Sequence, residues 1–277
     1  MLLAVDCGNT NIVFAVYDNT ADVSRQLGCW RIATDVSRSG DDYTVWLGQM
    51  MSAANLANDM VSGIVVASVV PEITPHLVMM ARTGFSLDPM LIGDAGVDLG
   101  ITVDIDNPSQ AGADRLVNAV AAKHYHQVPA IILDFGTATT LDLVRADGAY
   151  AGGIIAPGVH VSVDALYKAA ARLPRLDVKP WDHTLPVLGR DTTSAMESGI
   201  FWGYVGMIEG LITRLRTEQG VELPAIATGG LASLFAPHLP MISAVDADLT
   251  LRGLVAIYNL NNESNSAITA HSNKVDC

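Results

Sequence analysis

Short apolar runs rich in β-branched residues alternate with stretches of helical periodicity along nearly the whole chain. Residues 2–5 and 12–17 read as two strands joined through a turn at Gly8, and 28–33 is a candidate third. Over 42–56 the apolar positions Val45, Trp46, Met50, Ala53 and Ala54 fall close to helical spacing. Residues 62–70 form a continuous β-branched run, the pattern of a buried parallel strand, which Pro71 stops. A short helix follows, closed by Gly84, and then a short strand in "PMLIG". "GADRLVNAVAAKHYH" predicts a helix with Leu116, Val117, Val120 and Ala121 on one stripe.

After Pro129 the pattern starts again. "PAIILDFGTATTLDLVRADG" reads as strand, glycine turn and second strand, ending at the turn of Asp147 and Gly148. "AYAGGIIAPG" continues as strand and turn, 161–172 is helical in pattern, and the proline- and charge-rich stretch 174–188 reads as a surface excursion. Residues 192–219 predict a long helix in which Gly199, Gly203, Gly206 and Gly210 recur every three or four positions, implying close packing along one face. "PAIATGGLASLFAPHL" predicts a strand, a Gly-Gly turn and a helix start. A final helix covers 249–260, and the polar residues from Asn261 read as a disordered tail.

Two segments of this pattern repeat. "LAVDCGNTNIVFAV" and "ILDFGTATTLDLV" superpose with a shift of 128 residues, placing Asp6 on Asp134 and Gly8 on Gly136. A spacing of nearly half the chain implies two related α/β halves rather than a short-period solenoid. The expected division is 1–112 and 113–260, with the helix 113–127 at the boundary and 261–277 as the tail.

Composition narrows the function classes. Half of the 277 residues are hydrophobic and 16% are charged, which suits a large buried core. No apolar stretch reaches the ~18 residues of a membrane span. The first residues lack a basic region, and Asp6 interrupts their apolar run, which points away from a signal peptide. A formal charge of −13 argues against nucleic-acid binding. Cys7, Cys29 and Cys277 are odd in number and scattered, the usage of a reduced, cytoplasmic compartment, and they lack the close pairing of a zinc site. His124 and His126 stand two residues apart and do not share a helix face, so they make a poor metal pair. Cys7 reads as a small buried residue.

The candidate chemistry lies in the repeat. A hairpin with Gly and Thr at its tip can point backbone N–H groups at a phosphate, because glycine lets the chain approach closely. The flanking Asp would repel that phosphate unless it orients water or a cation that neutralises it. The other reading of each Asp is a turn cap. Two facing hairpins would clamp a triphosphate between two domains. No Walker loop is present, none of the four lysines follows a glycine-rich turn, and neither a dinucleotide fingerprint nor a nucleophile elbow is present.

The ordered set "DCGNTN", "GADRLVNA", "DFGTATTLD", "GGIIAPG", "GRDTTSAMESG" and "TGG" resembles type III pantothenate kinases, of the acetate and sugar kinase, Hsp70 and actin superfamily. The resemblance implies an α/β fold of two similar ribonuclease-H-like, actin-like ATPase domains, each a mixed sheet flanked by helices, with an ATP cleft between them. It implies ATP-dependent phosphorylation of pantothenate to 4′-phosphopantothenate, the first step of coenzyme A biosynthesis, with Mg²⁺ and K⁺ or NH₄⁺ as cofactors. Asp6, Gly8, Asn9, Thr10 and Asn11 match the first phosphate hairpin, with Asp6 the partner of hydrated Mg²⁺. Asp134 matches the aspartate associated with the monovalent cation, and Thr137 the threonine at ATP.

Asp114, within Gly112, Ala113, Asp114 and Arg115, corresponds to the catalytic base, and Arg115 offers a fork suited to the pantothenate carboxylate. Read without the family, "GADR" is a helix start with an acid at its positive end. Thr192 matches a substrate-contacting threonine and is also placed to cap the helix it precedes, with Thr193 the neighbouring candidate. Gly229 and Gly230 resemble the turn lining the adenosine site; a tight strand-to-helix turn is their other reading. Ile105 stands about where many members carry a substrate-contacting tyrosine. The family also implies a homodimer with its substrate site near the interface. Two alternatives remain: a kinase of this fold for another small hydroxy acid, and an idle nucleotide-binding regulatory or accessory protein. Asp6, Asp114, Arg115 and Asp134 together count against the idle reading.

Overall fold

A computed structural model describes the backbone of residues 1–19, 25–170 and 173–272, with side chains through 263. Its ten strands form two five-stranded mixed sheets, and the chain divides into two compact units, Met1–His126 with Leu249–Cys277, and Gln127–Asp248.

In the first unit, β1 (Leu2–Cys7), β2 (Asn11–Asp18) and β3 (Arg25–Ala33) form an antiparallel meander, and β4 (Gly63–Ser68) and β5 (Met90–Leu91) extend the other edge in parallel, in the order β3-β2-β1-β4-β5. Successive strand side chains point to opposite faces. Leu3, Val5 and Cys7 therefore face Tyr43, Leu47 and Leu77 of α1 (Gly40–Ala53) and α2 (Thr74–Phe85). Leu2 and Ala4 face Val117 and Val120 of α3 (Ala113–Tyr125) and Leu254 and Val255 of the chain's final helix, Leu249–Ser272. The sheet is thus covered on both sides.

Local chemistry sets the helix ends. Ser39 and Asp42 form a reciprocal capping box, so α1 begins at Gly40, ahead of the expected Asp42. Gly84 does not close α2. It lies inside the helix, where a Cβ would come within 2.8 Å of Thr44 Cγ2, so its bareness admits α1. The cap is Ser86, left-handed at φ 58°.

In the second unit, β6 (Ala130–Phe135), β7 (Ala138–Val144), β8 (Tyr150–Pro157), β9 (Ala225–Thr228) and β10 (Ile242–Val245) run in the order β10-β9-β6-β7-β8, with the same parallel and antiparallel pairings. Read from the other edge, each strand matches one of the first sheet, so the repeat extends to the whole topology. β10 was not expected; at four residues with alternating exposure its pattern is too short to stand out. Ile131, Leu133 and Phe135 pack with Phe201, Tyr204, Val205 and Ile208 of α5 (Thr192–Gln219), beside α4 (Val159–Ala169) and the short α6 (Ala232–Phe235). The excursion 174–188 is irregular, as expected, and Trp181 anchors it against Phe201 and Trp202. Residues 171–172 of the expected helix lie outside the described residues.

Three further expectations change. The helix 113–125 and the final helix, now α7, belong to the first unit, so the division falls at 126/127 and 248/249 rather than at 112/113. The cause is their packing on each other: a Cβ on Gly253 would stand 2.4 Å from the Val117 carbonyl oxygen. The helix α7 also runs on to Ser272, past Asn261, which is buried and donates to the carbonyls of Asp98 and Ile257; 273–277 lie outside the described residues. Finally, Gly199, Gly203 and Gly206 meet no close packing, since among the described residues no atom outside the helix lies within 4 Å of a Cβ at any of them.

Candidate functional site

Asp6 occupies the last-but-one position of β1, between Val13 of β2 and Ala67 of β4. Alternation puts its half-buried carboxylate on the face of Leu2 and Ala4, the face that α3 and α7 cover. Beyond it the chain turns through Gly8, Asn9, Thr10 and Asn11. Gly8 N–H donates to Asn11 O at 3.0 Å, and the side chains of Asn9 and Thr10 are exposed. Thr34, just past β3, braces this tip: its hydroxyl donates to Gly8 O at 2.6 Å and its N–H to Thr10 O at 3.0 Å. Nothing in the sequence singles out Thr34.

Behind the tip, Cys7 is buried. Burial pushes its thiol from 9.0 to about 11; the Ser68 hydroxyl partly offsets this and the Asp6 charge adds to it. The thiol is therefore protonated and unreactive near neutrality.

Asp114 enters on the same face of the same sheet. Gly112 caps α3 in an extended conformation, and Asp114 falls in the first turn, where the helix dipole favours a negative charge. Its Oδ1 accepts the Arg115 N–H at 2.8 Å and lies over Gly112, where a Cβ would come within 2.6 Å of it. Glycine at 112 thus leaves the carboxylate its place. Gly112, Ala113, Asp114 and Arg115 are all half-buried. Ile105 is half-buried in the irregular segment leading to the Pro108–Gln110 turn and α3.

The second unit repeats the hairpin with different support. Asp134 is half-buried between Thr140 and Thr228, and its turn is one residue shorter, since Phe135 pairs with Thr139 where Cys7 pairs with Ile12. Two glycines hold it. A Cβ at Gly229, φ +88°, would come within 2.5 Å of Asp134 Oδ1 and 2.7 Å of the Phe135 backbone, so a side chain there would displace the carboxylate. Gly158 donates to Thr137 O at 3.2 Å, and a Cβ there would stand 2.3 Å from that oxygen. Gly230 is exposed, with open space around it. Gly158 lies within "GGIIAPG" and received no role from the sequence, because its requirement comes from Thr137, 21 residues upstream. Beneath the tip, the Thr139 and Tyr204 hydroxyls share a buried hydrogen bond. Burial raises the Tyr204 pKa and the Asp134 charge adds to this, against the Thr139 bond, so Tyr204 stays neutral.

Thr192 is the first residue of α5, but it does not cap it. Asp191 does, accepting from Ser194 N at 2.9 Å in a capping box that holds its carboxyl below the usual range. Thr192 is exposed at a depression of about 700 Å³ lined by Leu166, Met196, Gly199, Gly203, Tyr204 and Met207 among others.

Among the described residues no three His, Cys, Asp or Glu side chains gather as a metal cage, and no helix is long and apolar enough to cross a membrane. A single carboxylate such as Asp6 fits Mg²⁺ held mainly by water and phosphate oxygens.

The sequence profile of type III pantothenate kinase matches residues 2–214. A type III pantothenate kinase of Paramagnetospirillum magneticum is 51% identical over 94% of this chain and 98% of its own length. One from Acidiphilium cryptum is 50% identical over 92% of each chain. Among solved structures, a Campylobacter jejuni protein described as a Baf family transcriptional activator aligns with a TM-score of 0.60 at 18% identity, over 94% of this chain and 99% of that one. A Sinorhizobium meliloti protein described as a 2-dehydro-3-deoxygalactonokinase aligns at 0.54 and 15%, over 94% and 96%. At such identities these two speak for the fold alone, the one shared by actin-like ATPases and sugar kinases. The profile and the relatives identify the chain: it belongs to the type III pantothenate kinase family.

Proposed function

We propose that the chain transfers the γ-phosphoryl group of ATP to the primary hydroxyl of pantothenate, giving 4′-phosphopantothenate and ADP at the entry to coenzyme A synthesis. The observation that carries this reading is family membership over most of the chain, together with Asp6 and Asp114 on one face of one sheet.

The substrate oxygen forms its bond to the γ-phosphorus as the bridging bond to the β-phosphate breaks, and Asp114 accepts the hydroxyl proton. The Gly112 cap and the Arg115 N–H hold that carboxylate at the helix start. Arg115 takes the pantothenate carboxylate, and Thr192 contacts the substrate. Asn9, Thr10 and Asn11 offer side chains, and Gly8 backbone, to the phosphates. Thr137 offers its hydroxyl to ATP, and the open backbone at Gly230, next to Gly229, admits the adenosine. Asp6 would hold hydrated Mg²⁺ and Asp134 a monovalent cation, K⁺ or NH₄⁺, and such ions would supply neutralisation of the phosphate charge. Ile105 leaves substrate packing without the tyrosine hydroxyl that many members carry at about this place.

The enzyme is proposed to work in the cytoplasm as a homodimer. The bare stripe of Gly199, Gly203 and Gly206, with exposed Leu166 lining the same depression as the first two, offers a face that a second copy would cover. A solution mass showing only monomer at micromolar concentration would refute the dimer.

The reaction is tested by ATP-dependent phosphorylation of pantothenate, with K⁺ or NH₄⁺ and then with Na⁺ alone. Turnover that needs K⁺ or NH₄⁺ is expected. No turnover under any condition refutes the assignment, and turnover only with another hydroxy acid redirects it.

A further inference from the structure

The helix that carries Asp114 holds a buried polar side chain to which the reaction above gives no role. Asn118 lies about one turn beyond Asp114, on the same side of α3, and is only 2% exposed. Its Oδ1 accepts a hydrogen bond from Thr250 Oγ1 at 2.7 Å, across 132 residues of chain. Thr250 is the second residue of α7, where the chain re-enters the first unit. One turn along α7, Gly253 brings the two helices into backbone contact at Val117. The other side chains at this crossing, Val117, Val120, Leu254 and Val255, are apolar.

Apolar surfaces pack almost equally well at several offsets, whereas a hydrogen bond between two short side chains survives little sliding or rotation. A buried polar pair in an apolar contact costs desolvation, and its best-attested use is to set register. The Asp114 carboxylate is tied to the first turn of α3 through the Arg115 N–H and lies over Gly112, so it travels with the helix.

We propose that the Asn118–Thr250 hydrogen bond, seated against the Gly253 contact, is the positioning device for the catalytic carboxylate: it fixes α3 on α7 and thereby sets where Asp114 stands. This rests on Asp114 being the base. Asn118 and Thr250 act through α3 and touch no substrate. The same two helices supply a comparator far from Asp114, where Arg252 lies 3.9 Å over the Tyr125 ring at the last residue of α3.

The test uses the full chain with Thr250→Val, Thr250→Ser, Asn118→Ala and Arg252→Ala. Thr250→Val keeps the shape and removes the donor. Misplacement by about 1 Å can cost on the order of 100-fold, so kcat should fall at least tenfold in Thr250→Val. KM for ATP should stay within about twofold, because nucleotide contacts are not involved. Thr250→Ser restores the donor and should recover most of kcat, while Arg252→Ala should lower the melting temperature and leave kcat near wild type. Should Asn118→Ala fail to fold, the Thr250 pair decides alone. A Thr250→Val enzyme with wild-type kcat, or one that loses no more kcat than Arg252→Ala, overturns the proposal.

A second readout does not depend on turnover. The Leu116 amide donates to Gly112 O at 3.2 Å and reports the first turn of α3 by hydrogen exchange. Faster exchange there in Thr250→Val is expected, and unchanged exchange overturns the proposal. Wild-type protein that never phosphorylates pantothenate refutes the assigned reaction instead, and exchange then decides the positioning of α3.

Discussion

The two hairpins share one topology and differ in what surrounds their tips. In the first unit the tip is the longer, with exposed Asn9 and Thr10 and a brace from Thr34; in the second it is shorter, and the backbones of Gly158 and Gly229 press against it. The position behind each aspartate is buried in both, as Cys7 in one and Phe135 in the other. The two halves thus share an aspartate and a glycine at the end of a buried strand and differ in the support around them. One unit offers polar side chains, and Asp114, the proposed base, on the same sheet face. The other offers a confined carboxylate whose setting depends on missing side chains. Substitutions that act on chemistry should therefore separate from those that act on shape.

The largest effect is expected at Asp114. Asp114→Asn keeps the shape of the helix start and removes the base, so kcat should fall by about 10²–10⁴ while ATP binding, measured by calorimetry, persists. Retained kcat would exclude the residue as base and place the chemistry elsewhere.

Next comes the shape of the second hairpin. Gly229→Ala must place a Cβ within 2.5 Å of Asp134 Oδ1 at φ +88°. The backbone conformation alone costs about 1–3 kcal/mol, and the clash shifts the carboxylate as well. Both melting temperature and activity should drop. Gly230→Ala, with nothing within 4 Å and no positive φ, should melt like wild type. The same contrast holds between Gly158→Ala, 2.3 Å from Thr137 O, and Gly8→Ala, 3.3 Å from Asn11 O. Equal melting temperatures within either pair would show that the glycines do not hold the second turn.

A smaller effect is expected under that turn. Tyr204→Phe strands the hydroxyl of Thr139, which is 0% exposed, at a cost of about 1–3 kcal/mol. Adding Thr139→Val removes both partners and should return much of the loss. A double variant less stable than Tyr204→Phe would mean that the hydroxyl pair is not the unit that matters there.

Part of this was legible in the sequence because it is local. An apolar strand ending in Asp-x-Gly, repeated after 128 residues, foretold two hairpins, and the matched topology of both sheets extends that repeat. What stayed hidden depends on distant neighbours. The return of α7 to the first unit rests on Gly253 meeting Val117, and the need for Gly158 rests on Thr137. Gly84 reads as a helix cap until Thr44 is seen beside it, and the glycines of α5 read as packed until no neighbour is found. Glycine spacing shows where a side chain is missing, but not what fills its place.

The smallest expected effect probes the residue behind the first tip. Cys7 is buried with its pKa at about 11, while Cys29 is exposed on β3, so in a Cys277→Ser background the native chain should show one thiol reactive toward a disulfide reagent at pH 8 and two in denaturant. The thiol is neutral in the fold up to about pH 11 and would ionise from 9.0 in the unfolded chain. Across that window the folded state holds more protons, so stability falls as pH rises. Cys7→Ala should flatten that alkaline decline. Two rapidly reacting thiols in the native protein would show that the floor of the first hairpin opens to solvent, and the contrast with the Phe135 floor of the second would widen.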